Sequence, residues 1–160
     1  MMKLIAKTRT NKWTSRIVLL FISAFILRII LANTGTVSLD QNTFIAWARA
    51  LTNQGFSRFY LGWSDYLPGY LYVLAFLAKI EAVAPLPALV LFKLPAILGD
   101  IFAGLFIYKI VVKQWGEKKG LIASTVFLFN PAVLYNSTLW GQVDILTALF
   151  ALLALYCFEG

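Results

Sequence analysis

The chain has 160 residues, of which 61% are hydrophobic and 13% charged, and its formal net charge is +7. Because soluble domains carry about 25% charged residues, this composition excludes an ordinary soluble domain and predicts a membrane protein. The sequence contains no histidine, which excludes Ser-His-Asp or Cys-His machinery and histidine-bound zinc within it. Its single cysteine, Cys157, excludes an internal disulfide framework.

The basic residues lie in two clusters that flank apolar segments. Positive charge next to an apolar span is typical of the cytoplasmic side and favours anionic lipid. We therefore expect membrane lipids, and not nucleic acid, to contact these cations. The clusters are Lys3, Lys7, Arg9, Lys12 and Arg16 near the N-terminus, and Lys113, Lys118 and Lys119 later in the chain.

Residues 1–16 are predicted to form a basic cytoplasmic arm, and residues 17–32 a first span. No small-residue cleavage site follows, so we expect an uncleaved anchor with a cytoplasmic N-terminus.

The segment after this span predicts an amphipathic helix. Ser38 and Gln41, three residues apart, fit a capping box at its start. Phe44, Trp47 and Leu51 then recur at helical spacing. We expect this apolar stripe to lie on the outer membrane surface.

The side of the membrane that the lysine-rich residues 113–119 occupy decides between two topologies for the next segments. If residues 66–84 and 88–112 both crossed the membrane, the lysine-rich residues 113–119 would face outward, against the positive-inside bias. We therefore expect residues 66–84 to form a membrane-embedded or interfacial helix in a long outer loop. Residues 88–112 then return to the cytoplasm, and residues 121–139 cross back.

The last segments complete the predicted organisation. A kink is expected at Asn130-Pro131, and the final apolar run, 145–158, is shorter than the roughly 20 residues that a span requires. With no internal repeat or domain boundary, residues 1–160 are expected to form one N-terminal membrane module of a longer protein. The predicted fold class is all-α: a polytopic transmembrane helical protein with membrane-associated helices in a long first outer loop.

Three carboxylates are expected on the outer side of this arrangement, namely Asp40, Asp65 and Asp144. Carboxylates at the mouth of a membrane cleft can deprotonate an acceptor hydroxyl or hold a divalent cation. The alternative is that each is a solvated loop or helix-cap residue. Gln142 belongs to the same polar patch as Asp144, between two apolar runs.

Three further charged residues lie inside the predicted spans. Arg28 and Lys93 are near the outer ends, where they either bind a lipid phosphate or extend their charge to the interface. Asp100 lies at mid-span and is too short to reach the interface, so we expect it to pair with Lys93 or Arg28. Three interfacial tryptophans either stack on a sugar or anchor the chain in the membrane. They are Trp47, Trp63 and Trp140.

Four segments carry a resemblance to a known family. They read DQNTFIAWA from Asp40, DYLPGYLY from Asp65, KLPAILGD from Lys93 and FNPAVLYNSTLWGQVDIL from Phe129. In these segments the chain resembles the N-terminal part of multispanning GT-C glycosyltransferases, in a bacterial and archaeal branch similar to the enzymes that add mannose to GPI anchors. The WGQ-x-D pattern is the most specific part. The family's DYPP is DYLP here, with Leu67 in place of the first proline.

The resemblance implies that Asp40 is the base toward the acceptor and that Gln142 and Asp144 help to form the catalytic site. Family members run to several hundred residues, so the lipid-binding half and the acceptor specificity are expected beyond Gly160. This leaves open whether 160 residues alone are active. Substrate contacts are assigned to Asp65, Arg28, Lys93, Tyr66 and Trp140.

The leading hypothesis is an enzyme that transfers a sugar, taken as mannose, from a polyprenyl-phosphate-linked donor to an acceptor on the extracytoplasmic face of the plasma membrane. Arg28 or Lys93 would offset charge on the departing lipid phosphate. Gln142 and Asp144 would orient the acceptor or Asp40, or share a divalent cation, and the residues leave that choice open.

Two alternatives belong to other classes. One is a non-catalytic membrane scaffold, or a split module that needs a partner chain to supply further spans. The other is a small transporter with Asp100 on its pathway, which would require a second carboxylate or an inverted repeat at membrane depth. The sequence contains neither feature.

Overall fold

A computed structural model describes residues 2–37, 39–84 and 86–158, with side chains from Trp13 onward. Helices make up 84% of the structure and no strand occurs in these ranges, so the predicted all-α class is confirmed. The predicted capping box includes Ser38, which lies outside the described residues. The elements are α1 (Met2–Ala32), α2 (Leu39–Gln54), α3 (Phe56–Phe59), α4 (Pro68–Val83), α5 (Ala88–Trp115), α6 (Glu117–Leu128), α7 (Pro131–Leu134), a π-helical segment (Tyr135–Trp140) and α8 (Asp144–Phe158).

Within the described residues, two helices are long and apolar enough to cross a membrane. They are the part of α1 over Trp13–Ala32 and the whole of α5, with mean hydropathies of 2.2 and 2.0. Because α1 begins at Met2, the residues predicted as a separate basic arm continue the same helix. α4 has 16 residues, or about 24 Å at 1.5 Å per residue, which is less than a hydrocarbon core of about 30 Å.

The predicted third span is not one continuous helix. α6 ends at Leu128, and Asn130 Oδ1 then accepts a hydrogen bond from the backbone N of Ala132 at 2.9 Å, which caps α7. Pro131 occupies the first turn of α7, where its missing N–H removes no helical hydrogen bond. The kink predicted at Asn130-Pro131 is therefore confirmed.

The apolar face of α2 packs against α4. Phe44, Trp47 and Leu51 are buried in one core cluster with Leu71 and Leu74 of α4. Burial of each such side chain stabilises the fold by about 1.5–3 kcal/mol. The predicted amphipathic helix is confirmed, but its expected position on the outer membrane surface is wrong, because α4 covers the stripe.

α5 is the central helix and contacts α1, α6 and α8. Glycines allow its neighbours to approach closely: a Cβ on Gly104 would lie 2.8 Å from Leu128 of α6, and a Cβ on Gly99 would lie 2.8 Å from Ile145 of α8. Ser124 of α6 also donates its hydroxyl to the Gly104 carbonyl at 2.8 Å. Small residues at helix contacts permit the close packing that drives helix association in membranes.

A buried ion pair joins α1 to α5. Arg28 Nε donates to Asp100 Oδ2 at 2.9 Å, and both side chains are buried. Arg28 Nη1 also donates to the Ala24 carbonyl at 3.2 Å. The predicted pairing of Asp100 is confirmed, with Arg28 as its partner.

Lys93 makes a second connection between the same two helices. Its Nζ donates to the carbonyls of Ala32, at 3.2 Å, and Gly35, at 2.5 Å. A lysine at this position satisfies carbonyls that the end of α1 leaves without helical partners. The exposed fractions of Lys93 and Arg28 are both 0%, so neither extends its charge to the interface.

We predict that Asp100→Leu destabilises the fold by about 3–5 kcal/mol, because it leaves the buried Arg28 without its counter-charge. The double variant Arg28→Met/Asp100→Leu should regain most of that loss, since it removes both charges. Thermal unfolding of the purified chain in detergent measures the difference. A single variant as stable as the wild type would contradict the prediction.

Candidate functional site

The site is centred on Asp40, in the first turn of α2. Asp40 Oδ2 accepts one hydrogen bond from Trp140 Nε1 at 2.8 Å and another from Gln142 Nε2 at 2.6 Å. A carboxylate in this turn is also stabilised by the positive end of the helix dipole. Two motifs about 100 residues apart in the sequence therefore meet at one carboxylate.

The π-helical segment and the turn after it position these donors. Gly141 ends the segment in a left-handed conformation with φ +83°, and the backbone N of Gly141 and of Gln142 both donate to the Asn136 carbonyl, at 2.9 and 3.0 Å. Nearby, the Leu139 carbonyl accepts a hydrogen bond from the backbone N of Val37 at 3.1 Å. The residues just before α2 are thus attached to the segment that carries Trp140 and Gln142.

A cavity of about 160 Å³ opens beside Asp40. This volume is below the roughly 300 Å³ typical of sites for drug-sized ligands, so it suits one small polar group or ring. Three residues assigned from the sequence, Asp65, Tyr66 and Gln142, line the cavity together with Asp40. The remaining lining residues are Thr43, Phe44, Trp47 and Trp63.

Asp144 lies at the edge of this arrangement. It is exposed at the start of α8 and lines a different cavity, of about 310 Å³, which Asp100 and Asn136 also line. It is nevertheless close enough to Tyr66 to act on it electrostatically. The structure therefore brings Asp40 and Asp65 to one cavity and places Asp144 beside it.

All three carboxylates act electrostatically on the phenol of Tyr66. Burial of the phenol raises the pKa of Tyr66 above its ordinary value, and the negative charges of Asp144, Asp65 and Asp40 raise it further. The phenol is therefore neutral at physiological pH and is able to donate a hydrogen bond to a ligand in the cavity.

Arg28 and Lys93 do not belong to the site. Both are fully buried, Arg28 against Asp100 and Lys93 against backbone carbonyls at the end of α1. A phosphate could reach them only if these contacts were broken. Both cations therefore serve the fold, because a buried charge requires a partner.

Sequence reasoning missed the role of Gly141 and of Gln41. Gln41 is fully buried, and neither its Nε2 nor its Oε1 has a hydrogen-bond partner in the part of the chain that the structure describes. Gly141 packs directly on this amide, so a Cβ there would collide with Gln41 Oε1. The glycine next to the two donor residues was the available signal, since close approach to another chain segment requires a residue without a side chain.

The described residues contain no group of three or more His, Cys, Asp or Glu side chains that could hold a metal ion. The divalent cation considered from the sequence therefore has only two carboxylates, Asp40 and Asp65, in the cavity.

Comparisons of the chain with protein-family models, with curated proteins and with solved structures find no match.

We predict that Gly141→Ala destabilises the fold by more than backbone strain alone. Gly141 has a φ of +83° and a ψ of 22°, in the left-handed α region, where an alanine costs about 1–2 kcal/mol. The added Cβ would also meet Gln41 Oε1, so the total loss of stability should exceed that strain. Thermal unfolding measures the loss, and Gln41→Ala in the same chain should recover part of it. A loss that Gln41→Ala leaves unchanged would contradict the close approach.

We also predict that the phenol of Tyr66 titrates above its ordinary value of 10.0. Because the folded-state pKa lies above the unfolded value, this group stabilises the fold fully below pH 10, and the contribution is lost as pH rises through the folded value. The absorbance difference between wild type and Tyr66→Phe isolates the titration. Asp65→Asn should lower the midpoint, and an unchanged midpoint would show that the carboxylate does not act on Tyr66.

Proposed function

We propose that the chain is an N-terminal membrane module of a GT-C type glycosyltransferase. In this proposal a sugar, mannose in our hypothesis, passes from a polyprenyl-phosphate-linked donor to the hydroxyl of an acceptor. The observation that carries the proposal is the meeting of Asp40 with Trp140 and Gln142 at the edge of a small cavity. These residues come from two of the segments in which the chain resembles the family.

The proposed step uses Asp40 as general base. The acceptor oxygen attacks the anomeric carbon of the donor, Asp40 takes the proton from that oxygen, and the bond from the anomeric carbon to the phosphate oxygen breaks. The polyprenyl phosphate leaves with the bonding electrons, and the configuration at the anomeric carbon is inverted. The hydrogen bonds from Trp140 and Gln142 support this role because they hold the carboxylate in one orientation, and positioning is a main source of catalytic rate.

The remaining cavity residues suit a sugar-sized ligand. Tyr66 and Thr43 provide hydroxyl groups, Gln142 provides an amide, and Trp63 provides an aromatic face. Such a combination of a few polar groups with aromatic walls is typical of small-molecule sites. Since Arg28 and Lys93 have partners in the fold, the proposal assigns neither of them to the lipid phosphate.

We further propose a multi-pass protein of the plasma membrane with a cytoplasmic N-terminus and an extracytoplasmic site. α1 carries its basic residues at one end and leads to Asp40 at the other. α5 begins on the side where Lys93 contacts Gly35 and ends at the basic residues that follow Val112. Both basic clusters therefore lie at the helix ends opposite Asp40, which supports an outward-facing site by the positive-inside rule.

One observation favours the alternative of a scaffold or split module that needs a partner chain. α8 has no buried residues, and Phe150, Leu155 and Phe158 on it are 71%, 58% and 91% exposed. Such a surface is compatible with lipid, but it also suits further helices supplied by a partner.

We predict that Asp40→Asn lowers sugar transfer by at least about 100-fold, the lower end of the contribution of a general base. Transfer of labelled sugar from a polyprenyl-phosphate donor in membrane vesicles measures the effect. Glu81→Gln serves as the matched control, since Glu81 contacts Arg49 at the surface of α4 and does not line the cavity. Retained transfer by Asp40→Asn would remove Asp40 from the mechanism, and a wild-type chain with no transfer would favour the scaffold.

A further inference from the structure

An apolar groove lies between α4 and α5. It has a volume of about 430 Å³, and all nine of its lining residues are apolar. The wall formed by α4 consists of Val73, Phe76, Leu77 and Ile80, which follow the i, i+3, i+4 and i+7 spacing of one helix face. None of these residues lines the cavity beside Asp40. The groove is therefore a separate feature of the fold.

The opposite wall of the groove belongs to α5. Leu91, Pro95 and Leu98 contribute to it, so the groove follows α5 for about 10 Å at 1.5 Å per residue. Pro95 lies inside the helix, where it removes the hydrogen bond that a backbone N–H would donate to the Leu91 carbonyl. This wall begins near the N-terminal end of α5 and stops close to the middle of the helix. The groove therefore lies within the depth of one leaflet, which is about half of a 30 Å hydrocarbon core.

A lysine flanks the groove on α4. Lys79 follows Phe76 by three residues and precedes Ile80, so helix geometry places it one turn beyond Phe76, at the edge of the lining face. Lys79 is exposed and forms no hydrogen bond or ion pair within the ranges that the structure describes. The nearby acid on α4, Glu81, is bound to Arg49 of α2 and, two residues further on, points to another side of the helix. The charge of Lys79 is therefore available to a ligand at the rim of the groove.

The position of Lys79 along α4 places it toward one end of the groove. α4 ends at Val83 and α5 begins at Ala88, so the last turn of α4 lies beside the first turn of α5. Lys79 is close to this shared end. In the proposed topology the same end of α5 is on the outer side of the membrane. The cation is therefore on the headgroup side, and the groove extends from it toward the hydrocarbon.

We infer that this groove binds one anionic glycerophospholipid of the outer leaflet. One acyl chain occupies the apolar groove, and Lys79 binds the phosphate of the headgroup. The two chemistries come in the order that a phospholipid requires, with the cation on the headgroup side and the apolar walls beyond it. The inference rests on the proposed membrane location of the chain and does not depend on sugar transfer.

Two other occupants fit the groove less well. A helix from a partner chain would have to fill the apolar groove and also supply a carboxylate to Lys79. A polyprenyl phosphate offers the same phosphate chemistry, but its branched chain is much longer than the roughly 10 Å over which the groove follows α5. An anionic phospholipid satisfies the apolar walls and the cation at once.

Photolabelling of the purified chain in nanodiscs tests the inference. The probe is a phosphatidylglycerol with a diazirine in one acyl chain, diluted into phosphatidylcholine, and peptide mass spectrometry identifies the labelled residues. We expect the label on the groove residues of α4 and α5. Unlabelled phosphatidylglycerol should compete about fivefold better than phosphatidylcholine with the same acyl chains, which is the effect of one lysine near a membrane surface. Label spread evenly over the exposed faces of α1, α5 and α8, or equal competition by the two lipids, would overturn the inference.

Two variants separate the contribution of the charge from that of the groove. Lys79→Gln, at an exposed position, should abolish the preference for phosphatidylglycerol, whereas the control Lys119→Gln on α6 should retain it. Leu98→Trp fills the groove and should remove most of the label from it. Its control is Phe102→Trp, one turn further along α5, at a residue that is 49% exposed, compared with 43% for Leu98, and does not line the groove. A preference retained by Lys79→Gln, or groove label retained by Leu98→Trp, would overturn the inference.

The same experiment identifies the other occupants. If a polyprenyl phosphate displaces the label at lower concentration than phosphatidylglycerol does, the groove belongs to that lipid and the inference is overturned. Absence of label from the groove residues, with label on other exposed faces of the chain, would indicate a protein occupant and would also overturn it.

Lipid binding and sugar transfer fail separately. Selective phospholipid binding in a wild-type chain without transfer activity would leave this inference standing and count against the proposed function. Transfer by a chain without selective phospholipid binding would overturn this inference and leave the proposed function intact.

Discussion

The buried ion pair between Arg28 and Asp100 is the contact on which the rest of the structure depends. An isolated charge in an apolar interior is too costly to retain, so each of these side chains requires the other. Their pairing sets α1 against α5 at one depth, and Lys93 attaches the end of α1 to α5 a short distance away. The residues that follow α1 therefore leave it at a defined place, which is where the site is built.

From that place, one backbone hydrogen bond and two side-chain hydrogen bonds lead to the site. Val37 donates to the Leu139 carbonyl in the π-helical segment, and Asp40 then accepts hydrogen bonds from Trp140 and Gln142. π-Helical segments are rare and are frequent at functional sites.

Sequence reasoning succeeded where a local rule applies and failed where the outcome depended on a neighbour. The break at Asn130-Pro131 follows from proline geometry, and the pairing of Asp100 with a cation, Lys93 or Arg28, follows from the cost of a lone charge. The apolar stripe of α2 was expected to face lipid, because its periodicity indicates only that one face is buried and not what covers it. Arg28 and Lys93 were assigned to a phosphate for a similar reason: a charge in a span indicates that a partner exists but does not identify it.

The sequence also predicted the candidate site only in part. The residue types and spacing were enough to select Asp40, Asp65 and Gln142 as polar groups at the ends of apolar segments, since such groups are costly within the hydrocarbon and collect at its border. Only the folded chain decided that Asp144 belongs to a neighbouring cavity, that Trp47 and Trp63 stand beside the carboxylates, and that Gly141 must lack a side chain to clear Gln41. Hydrophobicity and helix geometry act over a few residues and can be read along the chain, whereas distances between elements arise from how packed surfaces fit together, which no single segment encodes.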